Sequence, residues 1–370
     1  MQFIQRLNSP LINMLFVALI YGIYLILLLA KFNYNPAYLI SLGEKFADLN
    51  QIPEKLVVWK NYGYDGQFYY RLSLNPFTSK RQEFGITLDI PSYRHQRIIY
   101  PLISWILSSG NKDFVPKALL IVNFVAILLI GLVGGYLAKS FKLHSLWGLV
   151  FAIHPGFPYT LSRNLTEILQ TCFLLTALLL INKRRFLFSA ILLTLAILTR
   201  ETALIVAISS LLTFKNRYFL LPVICYGIWQ IILFLNWGQA PILLANLNLS
   251  NSLSGVSSYL RYTLGFATYG QKLGFIQLCF LLIFTISVFN AFVSSKAYTF
   301  TKVAWIFYLL MGMFYTSYIW VADIAFFRAL TEFYILGAAI LLSSKSKLMP
   351  AVFLLTAVIW SLSLKQFGYF

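Results

Sequence analysis

Residues 186–214 read FLFSAILLTLAILTRETALIVAISSLLTF, an apolar run interrupted at its middle by Arg200 and Glu201. How this stretch lies decides how the whole chain is threaded. As one span, it buries an arginine and a glutamate at the bilayer centre. It also puts Lys183, Arg184 and Arg185 on the opposite side from Lys215 and Arg217. As a hairpin of two short arms, 186–198 and 202–214, it keeps both basic groups on one side, as the positive-inside bias of short loops favours. Each arm is then too short for a full crossing of about 30 Å. The turn must therefore rest against protein or a water-filled cavity, so Arg200 and Glu201 are expected to line a cavity open to the outside.

The rest of the chain supports a membrane setting. Of its 370 residues 59% are hydrophobic and 11% charged, and the mean hydropathy is +0.77. A soluble domain cannot hide that much apolar surface, so lipid must solvate part of it. A net charge of +18 would suggest a nucleic-acid partner in a soluble chain. Here Lys139, Lys142, Lys183, Arg184, Arg185, Lys215, Arg217, Lys296, Lys302, Lys345 and Lys347 sit in short connections between apolar runs, with no acidic residue beside them. That pattern marks cytoplasmic loops and argues against nucleic acid.

Apolar windows long enough to cross fall at 11–30, 115–138, 145–161, 165–182, 217–236, 274–294, 302–321, 329–343 and 350–366. With the two hairpin arms they predict an all-α polytopic protein of about 11 membrane helices in a single integrated domain, 1–370. The weakly basic N-terminus and its long apolar run read as a retained first span rather than a cleaved signal. With the N-terminus inside, all 11 acidic residues face outward. The first external loop, 31–110, is too long for a simple connector. Within it NPAYLISLGEKFADL (35–49) has helical apolar spacing, and IIYPLISWILSSG (98–110) is too short to cross. The first reads as an interfacial helix and the second as an interfacial or re-entrant one.

Cys172, Cys225 and Cys279 lie in apolar runs, and His95, His144 and His154 lack ligand-like spacing, so neither disulfide chemistry nor a zinc site is indicated.

Four constellations carry possible chemistry. In YDGQFYY (64–70), Asp65 stands among aromatics. It is either an ordinary turn aspartate or a general base inside an apolar enclosure. In PSYRHQR (91–97), Arg94 and Arg97 share a face if helical, where they would clasp a phosphate or snorkel to headgroups. In LSRNLTEIL (161–169), Arg163, Asn164 and Glu167 form a third group, with Asn164 or Thr166 a potential helix cap. In ADIAFFRALTEF (322–333), Asp323, Arg328 and Glu332 form the weakest group, the last two being spaced for a simple helical ion pair.

Taken in order, YDGQFYYRL, PSYRHQRIIYPLISWIL, SRNLTEIL and LTRETALI resemble a bacterial group of polytopic proteins. That group is related to the GT-C glycosyltransferases and linked to cell-surface glycopolymer formation. The first motif is also similar to the W/Y-D-G-x-x-Y/F element of PIG-V-like mannosyltransferases. The resemblance covers roughly residues 1–215. It implies a polyprenyl-phosphate sugar donor, a glycan, lipid or protein acceptor, and chemistry on the outer face of the bacterial cytoplasmic membrane.

Carried over, Asp65 becomes the catalytic base, and Arg94, Arg97 and Arg200 the donor-phosphate ligands. Tyr64, Gln67, Tyr69, Arg163, Asn164, Glu167 and Glu201 line the acceptor cavity. No cofactor is required by the sequence. Because Asp-Gly replaces the adjacent acidic pair common in the family, a divalent metal stays open. The chemistry agrees with the residues: a departing phosphate needs cations rather than a general acid, so one carboxylate suffices for inverting transfer, whereas a glycosidase needs two. The non-enzymatic alternatives are a transporter or flippase of lipid-linked glycans, or a catalytically inactive scaffold.

Overall fold

The computed structural model describes residues 7–321 and 325–366. Asp323 lies outside them. The described chain is built of helices, with only two-residue strands in the long loop. Four helical segments are long and apolar enough to cross a membrane: Pro10–Ala30 (α1), Val115–Ser140, Arg217–Trp237 and Tyr269–Ala291. Several shorter apolar helices pack between them.

After α1 the chain enters the long loop. Residues 35–49 do not form the expected interfacial helix. Pro36–Ile40 makes a short 3-10 turn, Ser41 adopts a left-handed conformation, and Leu42–Gly43 pairs in parallel with Val58–Trp59. Tertiary contact overrides the helical spacing here: a Cβ on Gly43 would stand 2.3 Å from the backbone nitrogen of Gly63, so the two loop segments touch backbone to backbone. Gly66–Leu74 (α2) is a buried helix beginning directly after Asp65. The hairpin Gln82–Glu83/Ile86–Thr87 is fastened to it by the buried Arg71, whose guanidinium meets Glu83 at 2.6 Å. Pro91–His95 (α3) and Ile99–Ser108 (α4) complete the loop. α4 is two-faced, burying Tyr100 and Ser104 and exposing Ile106 and Leu107.

Val115–Ser140 (α5) packs along α1. The window 145–161 is not one helix. It forms a 3-10 segment, Ser145–Phe151, an irregular link, and the short helix Phe157–Ser162 (α6). Pro155 and Pro158 disfavour a continuous helix. Gly148 presses on Gly134 so closely that a Cβ would lie 2.1 Å from the Gly134 carbonyl carbon. α1 supplies donors for backbone carbonyls along this broken segment. Asn13 Nδ2 donates to Ser145 O (2.7 Å), Tyr21 to Ala152 O (2.7 Å) and Tyr24 to Pro158 O (2.9 Å). A broken backbone inside an apolar bundle survives on such partners.

Glu167–Asn182 (α7) returns beside α5, and Asn182 donates to Ser140. The opening stretch then forms Phe186–Thr199 (α8) and Leu204–Phe214 (α9), broken at Arg200, whose backbone is extended, and followed by a 3-10 turn at Glu201–Ala203. The Phe186 and Phe214 rings, at the far ends of the two arms, are 5.5 Å apart, so the chain doubles back. Arms of 14 and 11 residues reach about 21 and 16 Å.

The second half contains Leu220–Trp237 (α10), Ser254–Thr263 (α11), Tyr269–Ala291 (α12) and Thr299–Phe314 (α13). The expected span 302–321 is interrupted: α13 ends at Phe314, Tyr315 is extended, and Ser317–Val321 (α14) is a separate short helix. Tyr315 bridges to Leu249 instead of continuing the helix. Ala325–Ala329 (α15), Thr331–Ser344 (α16) and Met349–Gln366 (α17) close the chain. One large apolar core, running from α1 to α17, holds most of these helices together.

Candidate functional site

Asp65 stands at the start of α2, the position at which a short polar side chain normally caps a helix. It makes no such cap. Its two oxygens go instead to two arginines from distant parts of the chain: Oδ1 accepts from Arg94 Nη1 at 2.9 Å and Oδ2 from Arg328 Nη1 at 3.0 Å. Gly66 sets this placement. A Cβ there would lie 2.2 Å from the carbonyl oxygen of Arg163 and 2.9 Å from that of Ile40. Only glycine lets α2 start against the α6–α7 junction, where Asn164 takes a left-handed conformation.

From Asp65 the charges alternate in both directions. Arg94 also grips Asp89 with two bonds of 2.8 and 2.6 Å and lies over the Phe68 ring. On the other side Arg328 Nε is 3.5 Å from Glu167, Glu167 is 3.8 Å from Arg200, and Arg200 Nη1 is 3.1 Å from Glu332. The order is thus Asp89, Arg94, Asp65, Arg328, Glu167, Arg200, Glu332. The four outer members keep more exposure than the three inner ones, with Arg94 at 12% and Arg200 at 7%. Asp89, Asp65 and Arg328 are 24%, 20% and 17% exposed, whereas Glu167 and Glu332 are 1% and 0%. The chain of charges therefore opens to the surface at one end and closes in the core at the other. Gln170 donates to Glu332 at 2.9 Å, and the Thr202 hydroxyl also contacts it, so this deep carboxylate is well partnered.

Arg97 and Glu201 form a separate unit beside it. Arg97 clasps Glu201 through Nε and Nη2 at 2.8 and 2.6 Å, and donates to the hydroxyls of Tyr69 (3.2 Å) and Tyr93 (3.0 Å). This pair ties the long loop to the α8–α9 turn. Arg163 lies over the rings of Tyr159 and Tyr64, which meet edge to face.

These contacts revise four expectations. Arg94 and Arg97 do not share a helix face, because α3 ends at His95 and the two guanidiniums serve different carboxylates. Arg328 and Glu332 do not pair with each other. Leu330 separates α15 from α16, so the four-residue spacing does not bring them together. Thr166 occupies the N-cap of α7 without a side-chain cap bond, and Asn164 does not cap either. Of the YDGQFYY residues expected to line the acceptor cavity, Gln67 and Tyr69 are buried along with Phe68 and Tyr70, and Tyr64 is partly exposed.

Gln67 is structural in its contacts. Its amide accepts from Gly43 N at 3.0 Å and donates to Tyr62 O at 3.1 Å, fixing the loop under α2.

Electrostatically, the site is balanced rather than cationic, since arginines and carboxylates interleave. Burial alone would raise the pKa of Asp65, but Arg94 and Arg328 outweigh it and hold the carboxyl well below its ordinary value. Arg94, flanked by Asp65 and Asp89, is held above its ordinary value against the opposing effect of burial. Among the described residues no group of three His, Cys, Asp or Glu side chains is arranged to hold a metal ion.

The residue pattern placed Asp65, Arg94, Arg97, Arg163, Asn164, Glu167, Arg200 and Glu201 around one cavity. In the structure Asp65, Arg94, Glu167 and Arg200 join one line of charges through Arg328, Arg97 pairs with Glu201, and Arg163 packs on Tyr159 and Tyr64. Sequence reasoning missed Asp89, and it undervalued Arg328 and Glu332. The available signal was their occurrence in or beside apolar runs, where an ionised group needs a partner. No known protein family, curated protein or solved structure matches the chain.

Proposed function

We propose that this chain is a membrane glycosyltransferase with about 11 membrane helices. It moves a hexosyl or pentosyl group from a polyprenyl-phosphate donor to an acceptor hydroxyl on the outer face of the membrane. The observation that carries this reading is Asp65 itself: a part-exposed carboxylate from the long loop, with an arginine on each oxygen. Such a site couples one base to two cations, which is what inverting transfer from a phosphate requires.

In the reaction the acceptor oxygen attacks the anomeric carbon and the carbon–oxygen bond to phosphate breaks. The phosphate leaves with the bonding electron pair, and the acceptor proton passes to Asp65. Arg94 and Arg328 face the departing charge. Arg97 and Arg200 stand behind them, each committed to a glutamate. Glu167 and Glu201 orient these arginines. Tyr64 and Arg163 border the acceptor side.

The orientation rests on charge distribution. Asn182 meets Ser140, and Lys139 meets Asn8, so the basic ends of α5 and α7 gather beside the start of α1. A cytoplasmic location for that end leaves Asp65 outside. The test is transfer from a polyprenyl-phosphate sugar by the correctly inserted Asp65→Asn chain. Loss of a general base is expected to lower the rate about 100-fold or more. Retention of full activity sinks the assignment.

A further inference from the structure

Asp65 cannot serve as a base in the arrangement described, because both its oxygens are held by guanidiniums. Two neighbouring cations strongly favour the ionised carboxylate and suppress its proton affinity. Some event must separate Asp65 from its partners before it can accept a proton, and the contacts of Arg94 and Arg328 indicate which.

Each arginine has a second carboxylate nearby and one bond to Asp65. Arg94 is anchored by Asp89 through Nε and Nη2, leaving Nη1 for Asp65. Arg328 stands in ion-pair range of Glu167, its Nε 3.5 Å from the carboxylate without a hydrogen bond, and offers Nη1 to Asp65. Arg94 Nη1 can therefore change partner while Asp89 keeps its guanidinium in place, and Arg328 Nη1 can do so while the charge of Glu167 keeps that guanidinium beside it. Arginines arranged to hold two oxygens of one carboxylate also suit two oxygens of one phosphate. Arg94 and Arg328 keep 12% and 17% of their side-chain surface exposed. Arg97 and Arg200 are more enclosed, at 8% and 7%.

We infer that Arg94 and Arg328 form an exchangeable clamp, which holds Asp65 at rest and transfers both Nη1 contacts to a phosphate monoester or diester when one binds. Asp65 is then released toward the acceptor. The base is masked until the donor phosphate is seated, which imposes donor-before-acceptor binding and prevents premature activation of water or acceptor. This inference rests on the transferase reading for its purpose, but the exchange itself is testable by binding alone.

The experiment uses the full chain in lipid nanodiscs, with a sugar-free polyprenyl monophosphate and inorganic phosphate as separate probes. Asp65→Asn removes the resident anion while preserving side-chain size. It is expected to bind the monophosphate about tenfold tighter than the wild-type chain, since the ligand no longer displaces a charged competitor. Arg328→Gln is expected to bind it about tenfold more weakly. Unchanged or weaker binding by Asp65→Asn overturns the exchange. Tightening for both probes assigns the effect to the phosphate group. Tightening for the lipid probe alone adds a requirement for the prenyl chain, and both results support the clamp.

A wild-type control avoids dependence on folded variants: a monophosphate carrying a photoreactive diazirine next to its phosphate should label the segments around Arg94 and Arg328. Labelling confined to the basic connections near Lys139 or Lys183 overturns the proposal. The two readings also fail separately. If Asp65→Asn keeps transfer activity, the base assignment falls whatever its phosphate affinity. If it loses transfer without binding phosphate more tightly, only the exchange falls.

Discussion

The Arg97–Glu201 pair offers a quantitative test of how the long loop is held to the α8–α9 turn. Two guanidinium nitrogens meet two carboxylate oxygens at 2.8 and 2.6 Å. A unit charge pair at about 4 Å is worth about 4 kcal/mol at an effective dielectric of 20. Glu201 retains 21% of its side-chain exposure, and water there screens part of that energy. A net coupling of about 2 kcal/mol remains.

Glu201→Ala leaves Arg97 without its carboxylate and should cost about 3 kcal/mol, lowering the thermal midpoint by about 4 °C. Arg97→Ala should cost more, because it also removes the donors to Tyr69 and Tyr93. In the double variant no charge is left stranded, so its cost should fall short of the sum by about 2 kcal/mol. The assay is thermal unfolding in detergent, run as a double-mutant cycle with retained monodispersity as the control. A coupling below about 0.5 kcal/mol would mean that the two sites act independently. The loop would then not be docked through this pair.

Three further outcomes follow from particular contacts. Gly66→Ala should destabilise the chain by about 2 kcal/mol or more, because the new Cβ meets two backbone carbonyls. Gly22→Ala, with nothing within 4 Å of its Cβ, should be neutral or stabilising, and thermal midpoints compare the two. Asp65 has a folded pKa below its unfolded value of 3.8, so its stabilisation is present above that value and fades as pH falls toward the folded one. The difference in midpoint between wild-type and Asp65→Asn chains should stay constant from about pH 8 to pH 5 and shrink below about pH 4. A difference that grows on acidification contradicts this. Glu332→Gln strands Arg200 in the core with Glu167 at 3.8 Å as its remaining carboxylate. A loss of about 3 kcal/mol is expected in unfolding measurements, and a negligible loss would show that Arg200 is solvated.

Much of the helical layout was legible because apolar runs and basic punctuation are local properties. The break at Arg200 and the short arms beside it could be read from residues 186–214 alone. Misreadings occurred where long-range contact outweighed local pattern. Residues 35–49 have helical spacing, but the approach of Gly43 to Gly63 holds them extended. The 145–161 window is apolar enough for a span, yet α1 side chains bond the carbonyls of its broken backbone.

Asp65 and Arg94 were identifiable as candidates from their residue types and setting. Their pairing was not, since they are 29 positions apart, and Arg328 is 263 positions from Asp65. The four-residue spacing of Arg328 and Glu332 even suggested the wrong partner.

The sequence by itself determined that the chain is helical and rich in membrane-competent segments, and that several of its short connections carry basic residues without acidic ones. Hydrophobicity and short-loop charge act through composition along the chain, without reference to distant residues. Tertiary structure alone decided which arginine meets which carboxylate. An ionised group at membrane depth requires a partner, but many partners satisfy that requirement equally well from the sequence. Packing at Gly66, the broken segment before Arg163 and the separation of α15 from α16 select one arrangement, in which Asp65 is shared between Arg94 and Arg328.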